Sequence, residues 1–165
     1  MTRPVFQLSD YPQVACGVPG EGSGRVFHVD PVRGSADGDG SRERPWRDLQ
    51  GLVDRGLVGE RRRHLSSGER LLAAVLHRPE RVTSSPREAA VVRGGDVIRL
   101  AEGDYGALDL SYLANSRFVT IEAAPGAIAR FASLRASGAS HFILRRIEIA
   151  GDALAEGSGH LRLRL

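Results

Sequence analysis

Two aspartates in a glycine-rich loop are the residues whose type and spacing come closest to a metal site. Asp37 and Asp39, interleaved with Gly38 and Gly40, supply the hard oxygen ligands that Ca²⁺ prefers. A complete EF-hand loop would also need a third oxygen ligand and a closing glutamate, and neither stands at the required spacing. Aspartate and glycine favour turns for conformational reasons alone. We therefore expect a turn and assign no metal-binding residue, with a bound ion as the alternative.

The histidines and the single cysteine do not form a pattern typical of a catalytic or metal site. His64 and His77 are separated by far more than the one-turn spacing of a helical metal pair. His141 and His160 have no serine or carboxylate arrangement around them that spacing alone would reveal. Cys16 is the only cysteine, which excludes an internal disulfide and a multi-cysteine zinc site. No residue is assigned as catalytic or substrate-binding.

Arginine supplies all 23 basic residues, because the chain contains no lysine. A need to bind polyanions would not eliminate lysine, which also binds phosphate, so we attribute this composition to codon bias. The excess over acidic residues is local: residues 94–165 carry eight arginines and eight acids, and residues 56–93 carry eight and four. Aromatic residues make up only 5% of the chain, so a stacking platform for nucleic acid is not expected.

The elements that would position these residues begin after an irregular leader. Residues 1–24 contain three prolines and no apolar stretch typical of a signal peptide, so we expect a flexible leader. No apolar run reaches the roughly 20 residues that span a bilayer, so no membrane partner is expected.

Residues 25–56 predict a strand, a loop and a helix. Val26 to Asp30 alternate apolar and polar residues, as a half-buried strand does. Pro45 suits the first position of a helix, because its missing N–H has no intrahelical partner there. The helix is predicted over residues 45–55, and its apolar face consists of Trp46, Leu49, Leu52 and Val53.

Residues 57–93 predict an arginine-rich, mainly helical insertion. Ser66 and Glu69 fit a capping box, aliphatic residues then recur on one face, and Pro79 ends the pattern. The run Arg61–Arg63 is interpreted as a solvated surface segment.

Residues 94–165 predict short strands separated by turns, with a period in the low twenties. Ile98 and Ile121 lie 23 residues apart, and a Ser-x-Phe-aliphatic pattern at Ser116 recurs 24 residues later at Ser140. Such a period is typical of a solenoid, and 72 residues would form about three coils. We therefore predict an all-β solenoid of stacked parallel strands.

Some polar residues of this segment could serve a binding surface, but structural roles are expected for them. Asn115, the only asparagine, is expected in a turn with a left-handed backbone. The arginines expected to face solvent or to lie in turns are Arg130, Arg135, Arg145 and Arg146.

Two blocks of the sequence resemble a known superfamily. Phe27–Pro31, with Pro45-Trp46-Arg47-Asp48-Leu49 downstream, is similar to the N-terminal cap of right-handed parallel β-helix (pectate-lyase-like) proteins. Residues 94–105 are similar to their first full coil. The continuation through Thr120–Ala123 and Arg146–Ile149 resembles the chondroitinase B and alginate lyase branch.

The resemblance implies a right-handed parallel β-helix with an N-terminal capping helix, a helical insertion at 57–93 and about three coils over 94–165. It implies the N-terminal portion of a polyuronate or glycosaminoglycan lyase, inactive as this chain because the catalytic residues belong to later coils. The resemblance also implies an acidic polysaccharide as the partner and calcium as the cofactor. It implies that the protein is exported from the cytoplasm. A non-catalytic module for glycan binding, adhesion or structure is the alternative.

The alternating residues Leu161 to Leu165 predict a strand with an open edge. Self-association through this last coil is therefore expected.

Overall fold

Three sheets and one short helix make up the computed structural model, which describes residues 24–65, 82–155 and 159–164. In the largest sheet, five strands lie side by side in parallel, in the order β1 (Val26–Val29), β4 (Val97–Leu100), β7 (Leu113–Ala123), β10 (Ser140–Arg145) and β13 (Gly159–Arg164). A second sheet contains β5 (Gly103–Asp104), β8 (Ala129–Phe131) and β11 (Ile147–Ile149). The third contains β6 (Ala107–Asp109), β9 (Ser133–Arg135) and β12 (Ala153–Leu154).

The core lies on the inner face of the largest sheet, where aliphatic side chains form rows across the strands. Ile98 pairs with Ile121, which in turn pairs with Leu144, and all three side chains are fully buried. Burial of each such side chain is worth about 1.5–3 kcal/mol, so these rows stabilise the parallel pairing. The partner of Phe142 is Val119, 23 residues earlier, because β7 carries a bulge opposite His141. The 24-residue Ser-x-Phe pattern therefore misplaces this pairing by one residue.

The prediction of an all-parallel β-helix solenoid is wrong. The largest sheet is mixed, because β2 (Arg61–Leu65) pairs antiparallel with β3 (Val82–Pro86) and with β7. The three sheets remain separate, and none of them closes on itself within the described residues. The antiparallel pairing occurs where the chain leaves the sheet before the insertion and re-enters it afterwards. This pairing is a long-range contact, so the repeat of about 23 residues could not predict it.

The prediction of a mainly helical insertion is also wrong for its described residues. Arg61 to Leu65 and Val82 to Pro86 are strands of one hairpin. Glu60 attaches this hairpin to the repeats, since its carboxylate accepts hydrogen bonds from the amides of Gly94 and Ser116 at 2.8 and 2.9 Å. The predicted helix between Ser66 and Pro79 lies outside the described residues, as do His77, Cys16 and the leader.

The only helix of the described residues is shorter than predicted and starts later. Helix α1 (Leu49–Asp54) begins after Asp48, whose carboxylate accepts from the amides of Gln50 and Gly51. Trp46 lies outside the helix because its amide and carbonyl are bound to His28 and Asp30 of the neighbouring strand and turn. An aspartate N-cap satisfies the free amides of a first turn better than a proline does.

Aromatic stacking closes the core near the helix. Trp46 is 3% exposed and stacks on Phe27, with ring centroids 5.2 Å apart. Its indole N–H donates to the carbonyl of Gly38 at 2.7 Å. Gly40 has φ +79°, and an added Cβ would lie 2.8 Å from both rings, so glycine is needed here.

Candidate functional site

A row of charged side chains crosses the outer face of the largest sheet. Pairing of the parallel strands places His28 beside Arg99, Arg99 beside Glu122, and Glu122 beside Arg145. These residues alternate with the buried aliphatic rows, so their side chains lie on the face opposite the core. We call these four residues, together with Arg146, the charged row.

Glu122 lies at the centre of the charged row and is only 5% exposed. Arg99 Nη2 lies 3.0 Å from its Oε1, and Arg145 Nε lies 2.9 Å from its Oε2. Both arginines are thereby held in one orientation by a single carboxylate between them. Charge-assisted hydrogen bonds of this kind are stronger than neutral ones.

Arg146 adds a third guanidinium to the same carboxylate. Its Nη2 lies 2.9 Å from Glu122 Oε2 and also donates to the carbonyl of Ala123 at 3.0 Å. The backbone of Arg146 has φ +55°, a left-handed conformation that is uncommon for a non-glycine residue. This conformation occurs at the corner between β10 and β11, where it brings two consecutive arginines to one site.

The electrostatics of the row keep Glu122 ionised. Burial by itself would raise the pKa of Glu122, but the hydrogen bond from Arg99 and the charges of Arg146 and Arg145 lower it below the usual 4.5. One carboxylate therefore faces three guanidinium groups. The row carries more positive charge than its own acid can neutralise, and the side chains of Arg145 and Arg146 remain 26% and 51% exposed.

A cleft of about 370 Å³ adjoins the row at the end of β1 and β4. Arg99 and His28 line it on the sheet side, and Arg33 and Arg42 line it from the loop that follows β1. The carboxylate of Asp30 also lines the cleft, but it accepts from the amides of Val32 and Arg33 and pairs with the Arg33 side chain at 2.8 Å. The cleft is therefore cationic.

Asp30 and His28 differ in charge at neutral pH. Burial would raise the pKa of Asp30, but its hydrogen bonds from Arg33 and Val32 outweigh this and lower it. Burial, together with Arg99 and Arg42, lowers the pKa of His28 below 6.5, against an opposing effect of Glu43. His28 is therefore a neutral imidazole at pH 7, beside permanently charged guanidinium groups.

The four arginines singled out in the sequence analysis lie in three different places in the structure. Arg145 and Arg146 lie at the corner between β10 and β11, as a turn position implies, and their side chains also converge on Glu122. Arg130 pairs with Glu148 at 3.0 Å, and both side chains are more than half exposed. Arg135 lines a different cleft. Arg99 and Glu122 were missed, although Arg99, Glu122 and Arg145 follow one another at 23-residue intervals.

Asn115 and His141 serve the connection between β7 and β10. Asn115 is buried, and its Oδ1 accepts from the Glu60 amide at 3.2 Å. The left-handed backbone predicted for Asn115 occurs instead at His141, with φ +61°. His141 Nδ1 lies 3.0 Å from the Ser140 hydroxyl, and its ring is tilted against Phe118. The side chains of His64 and His160 lie outside the described set.

The aspartate loop forms a turn. Asp39 Oδ1 accepts from the amide of Ser41 at 2.9 Å, and its other oxygen lies 3.6 Å from Arg44. The Asp37 amide donates to the Ser35 hydroxyl. In the part of the chain that the structure describes, no three histidine, cysteine or acidic side chains cluster as metal ligands would.

Comparison with known proteins assigns no family. No protein-family model matches the chain, and no curated protein or solved structure matches it. Among the described residues, no helix has the length and apolar character needed to cross a bilayer. The expected self-association at the last strand stays a prediction.

Proposed function

We propose that this protein binds acidic polysaccharides whose sugars carry carboxylate groups, through the charged row and the adjoining cleft. The observation that carries this proposal is the convergence of Arg99, Arg145 and Arg146 on the one carboxylate of Glu122. Glu122 holds the three cations in place and leaves a surplus of positive charge. Arginines that are ordered before a ligand arrives lose less side-chain entropy on binding.

The chemistry of the guanidinium group favours a carboxylate as the ligand. Each guanidinium has five N–H donors arranged as a planar fork that matches two carboxylate oxygens. Arg145 uses its Nε for Glu122, which leaves its remaining donors for a second acid. Arg42 lines the cleft and forms no hydrogen bond or ion pair with the described residues, so its donors are also available.

The geometry favours a linear polymer. Strands of a sheet are spaced by about 4.8 Å, so the backbones of Arg99 and Arg145, two strands apart, are separated by about 10 Å. Arg33 and Arg42 extend the cationic surface past the end of β1. A chain of carboxylated sugars presents anions at regular intervals, and such a ligand could pair with several of these groups at once.

The lining of the cleft argues against nucleic acid. No phenylalanine, tyrosine or tryptophan lies among the residues described as lining it, and the small imidazole of His28 is its one aromatic ring, so the cleft offers no row of aromatic rings for successive bases. Single-stranded DNA is therefore the competing polyanion that the experiment includes.

Binding is favoured over chemical conversion. A lyase would need a positioned base beside the sugar, and His28 is the one neutral base described in the cleft. No hydrogen bond from a described residue orients its imidazole, whereas a general base is normally held by a third group.

Calorimetric titration with oligogalacturonate, alginate, neutral dextran and single-stranded DNA tests the proposal. We expect binding of the two polyuronates, weakening with added salt because exposed charges are screened. Arg42→Gln should weaken binding about tenfold, the equivalent of one charge-assisted hydrogen bond. Arg145→Gln should also weaken it.

The matched control is Arg130→Gln, which removes the same charge from an exposed pair outside the charged row. Its affinity should equal that of the wild type. Equal affinity for dextran, or an unchanged affinity in both Arg42→Gln and Arg145→Gln, would overturn the proposal. Tighter binding of DNA would reassign the partner, and formation of unsaturated uronate would contradict a non-catalytic role.

A further inference from the structure

A second cleft, of about 400 Å³, lies between α1 and strands β6 and β9. It shares no lining residue with the cleft beside the charged row. Its size is that of sites for single small molecules, which combine apolar contact with a few placed polar groups. The polar groups around it include the side chains of Gln50, Asp109, Ser111 and Arg135.

Asp109 and Arg135 face each other across the cleft wall without pairing. They are register partners of the parallel strands β6 and β9, so their backbones are about 4.8 Å apart. Nevertheless no ion pair joins them, and the Arg135 guanidinium has no hydrogen bond to any described residue. The Arg135 guanidinium and the second carboxylate oxygen of Asp109, Oδ2, are therefore available to a ligand with matching groups.

Tyr112 adds an aromatic face to this cleft. Its backbone has φ +61°, a conformation disfavoured for bulky residues, and its side chain is 39% exposed. The ring lies on Gly138, where an added Cβ would be only 3.0 Å from Tyr112 Cδ1. The glycine thus makes room for the ring, and residues held in unfavourable backbone conformations are concentrated at functional sites.

Ser111 supplies a buried polar atom without a partner. Its Oγ is buried and makes no hydrogen bond with described residues. Its amide donates to Asp109 Oδ1 at 2.8 Å, and the Asp109 amide in turn donates to Gln50 Oε1 at 2.7 Å. A buried hydroxyl that lacks a partner is rare, and this one borders the cleft without being open to it.

We propose that this second cleft binds one hexuronate ring. The Tyr112 ring stacks on the face of the sugar, and Arg135 pairs with the sugar carboxylate. The second carboxylate oxygen of Asp109 accepts a hydrogen bond from a sugar hydroxyl. The inference rests on the proposed function for its ligand class, and it adds a site at which a single acidic sugar is recognised away from the charged row.

Saturation-transfer NMR and calorimetry with galacturonate, and with galactose as the uncharged probe, test this assignment. Arg135→Gln should weaken galacturonate binding about tenfold, because one charge-assisted pair is lost. Tyr112→Gly should abolish stacking while leaving the chain folded, because glycine adopts φ above zero freely. Galactose should bind the wild type more weakly than galacturonate does.

Two control variants separate this proposal from the proposed function. Arg42→Gln should weaken polymer binding and leave galacturonate binding unchanged. Arg135→Gln should weaken galacturonate binding and leave polymer binding unchanged. Arg130→Gln should change neither. No saturation transfer to galacturonate in the wild type, or an unchanged affinity in both Tyr112→Gly and Arg135→Gln, would overturn the assignment. Equal affinity for galactose would overturn the role of Arg135.

Discussion

Arg99 and Glu122 form an ion pair of 3.0 Å between adjacent parallel strands, although they lie 23 residues apart in the chain. The same interval separates Glu122 from Arg145 on the next strand, which binds the other carboxylate oxygen at 2.9 Å. A regular interval that stacks aliphatic residues on the inner face of the sheet therefore stacks charged residues on its outer face.

Removal of the Glu122 charge should destabilise the fold without abolishing anion binding. Glu122→Gln leaves three guanidinium groups in mutual repulsion around a buried amide, so we expect a loss of about 2 kcal/mol in the free energy of unfolding. Urea unfolding measures this. Glu148→Gln is the control, because its pair with Arg130 is exposed and should contribute less than about 1 kcal/mol. Equal losses in the two variants would show that the charged row is not a stabilising centre.

Stability should fall in acid partly because of Glu122. The pKa of Glu122 is lowered on folding, so its contribution is present above the unfolded value of 4.5 and is lost as pH falls through the folded value. Unfolding free energies measured between neutral pH and the acid limit should fall more steeply in the wild type than in Glu122→Gln. Parallel profiles would contradict the assignment.

Affinity for a polyuronate should rise as His28 becomes protonated. The folded pKa of His28 lies below 6.5, so the imidazole gains its charge only in mildly acidic solution. The charged groups near it are Arg99, Arg42 and Glu43, and a bound polyanion would offset the two arginines and raise the His28 pKa. An NMR titration of His28 with and without oligogalacturonate measures the shift. His28→Gln should flatten the pH dependence of affinity, and an unchanged dependence would contradict this prediction.

Protonation of His28 should also lower stability. Because its folded pKa is below its unfolded value, the unfolded state binds more protons between the two values, so stability rises with pH in this window. In His28→Gln this part of the pH dependence should be absent. A calorimetric series of wild type and variant across the window would measure the difference.

Loss of the Trp46 ring should be among the most damaging single changes. Trp46→Ala removes a buried ring that stacks on Phe27, and we expect a loss of about 3–5 kcal/mol in thermal or urea unfolding. Trp46→Phe keeps the stacking but removes the hydrogen bond to Gly38, so it should cost less, about 1–2 kcal/mol. An alanine variant as stable as the phenylalanine variant would show that the ring contributes little.

The sequence by itself determined those features that depend on neighbouring residues and on a short period. The prediction of short strands separated by turns over residues 94–165 agrees with strand Val97–Leu100, and the turn expected for Arg145 and Arg146 agrees with the corner between β10 and β11. The burial of Trp46 is likewise confirmed. Alternation of apolar residues and a change of backbone direction are local properties, so they are visible in the order of residues.

Three features depend on tertiary structure alone: the residue at which the helix begins, the mixed type of the largest sheet, and the position of the charged row. Pro45 could begin a helix, but the bonds of Trp46 to β1 hold that residue in extended pairing and delay the start until Asp48. The antiparallel strands Arg61–Leu65 and Val82–Pro86 join a sheet that their local sequence does not predict. Glu122 became the centre of a site because strands on either side each carry an arginine, and long-range pairing of strands depends on contacts that no local pattern encodes.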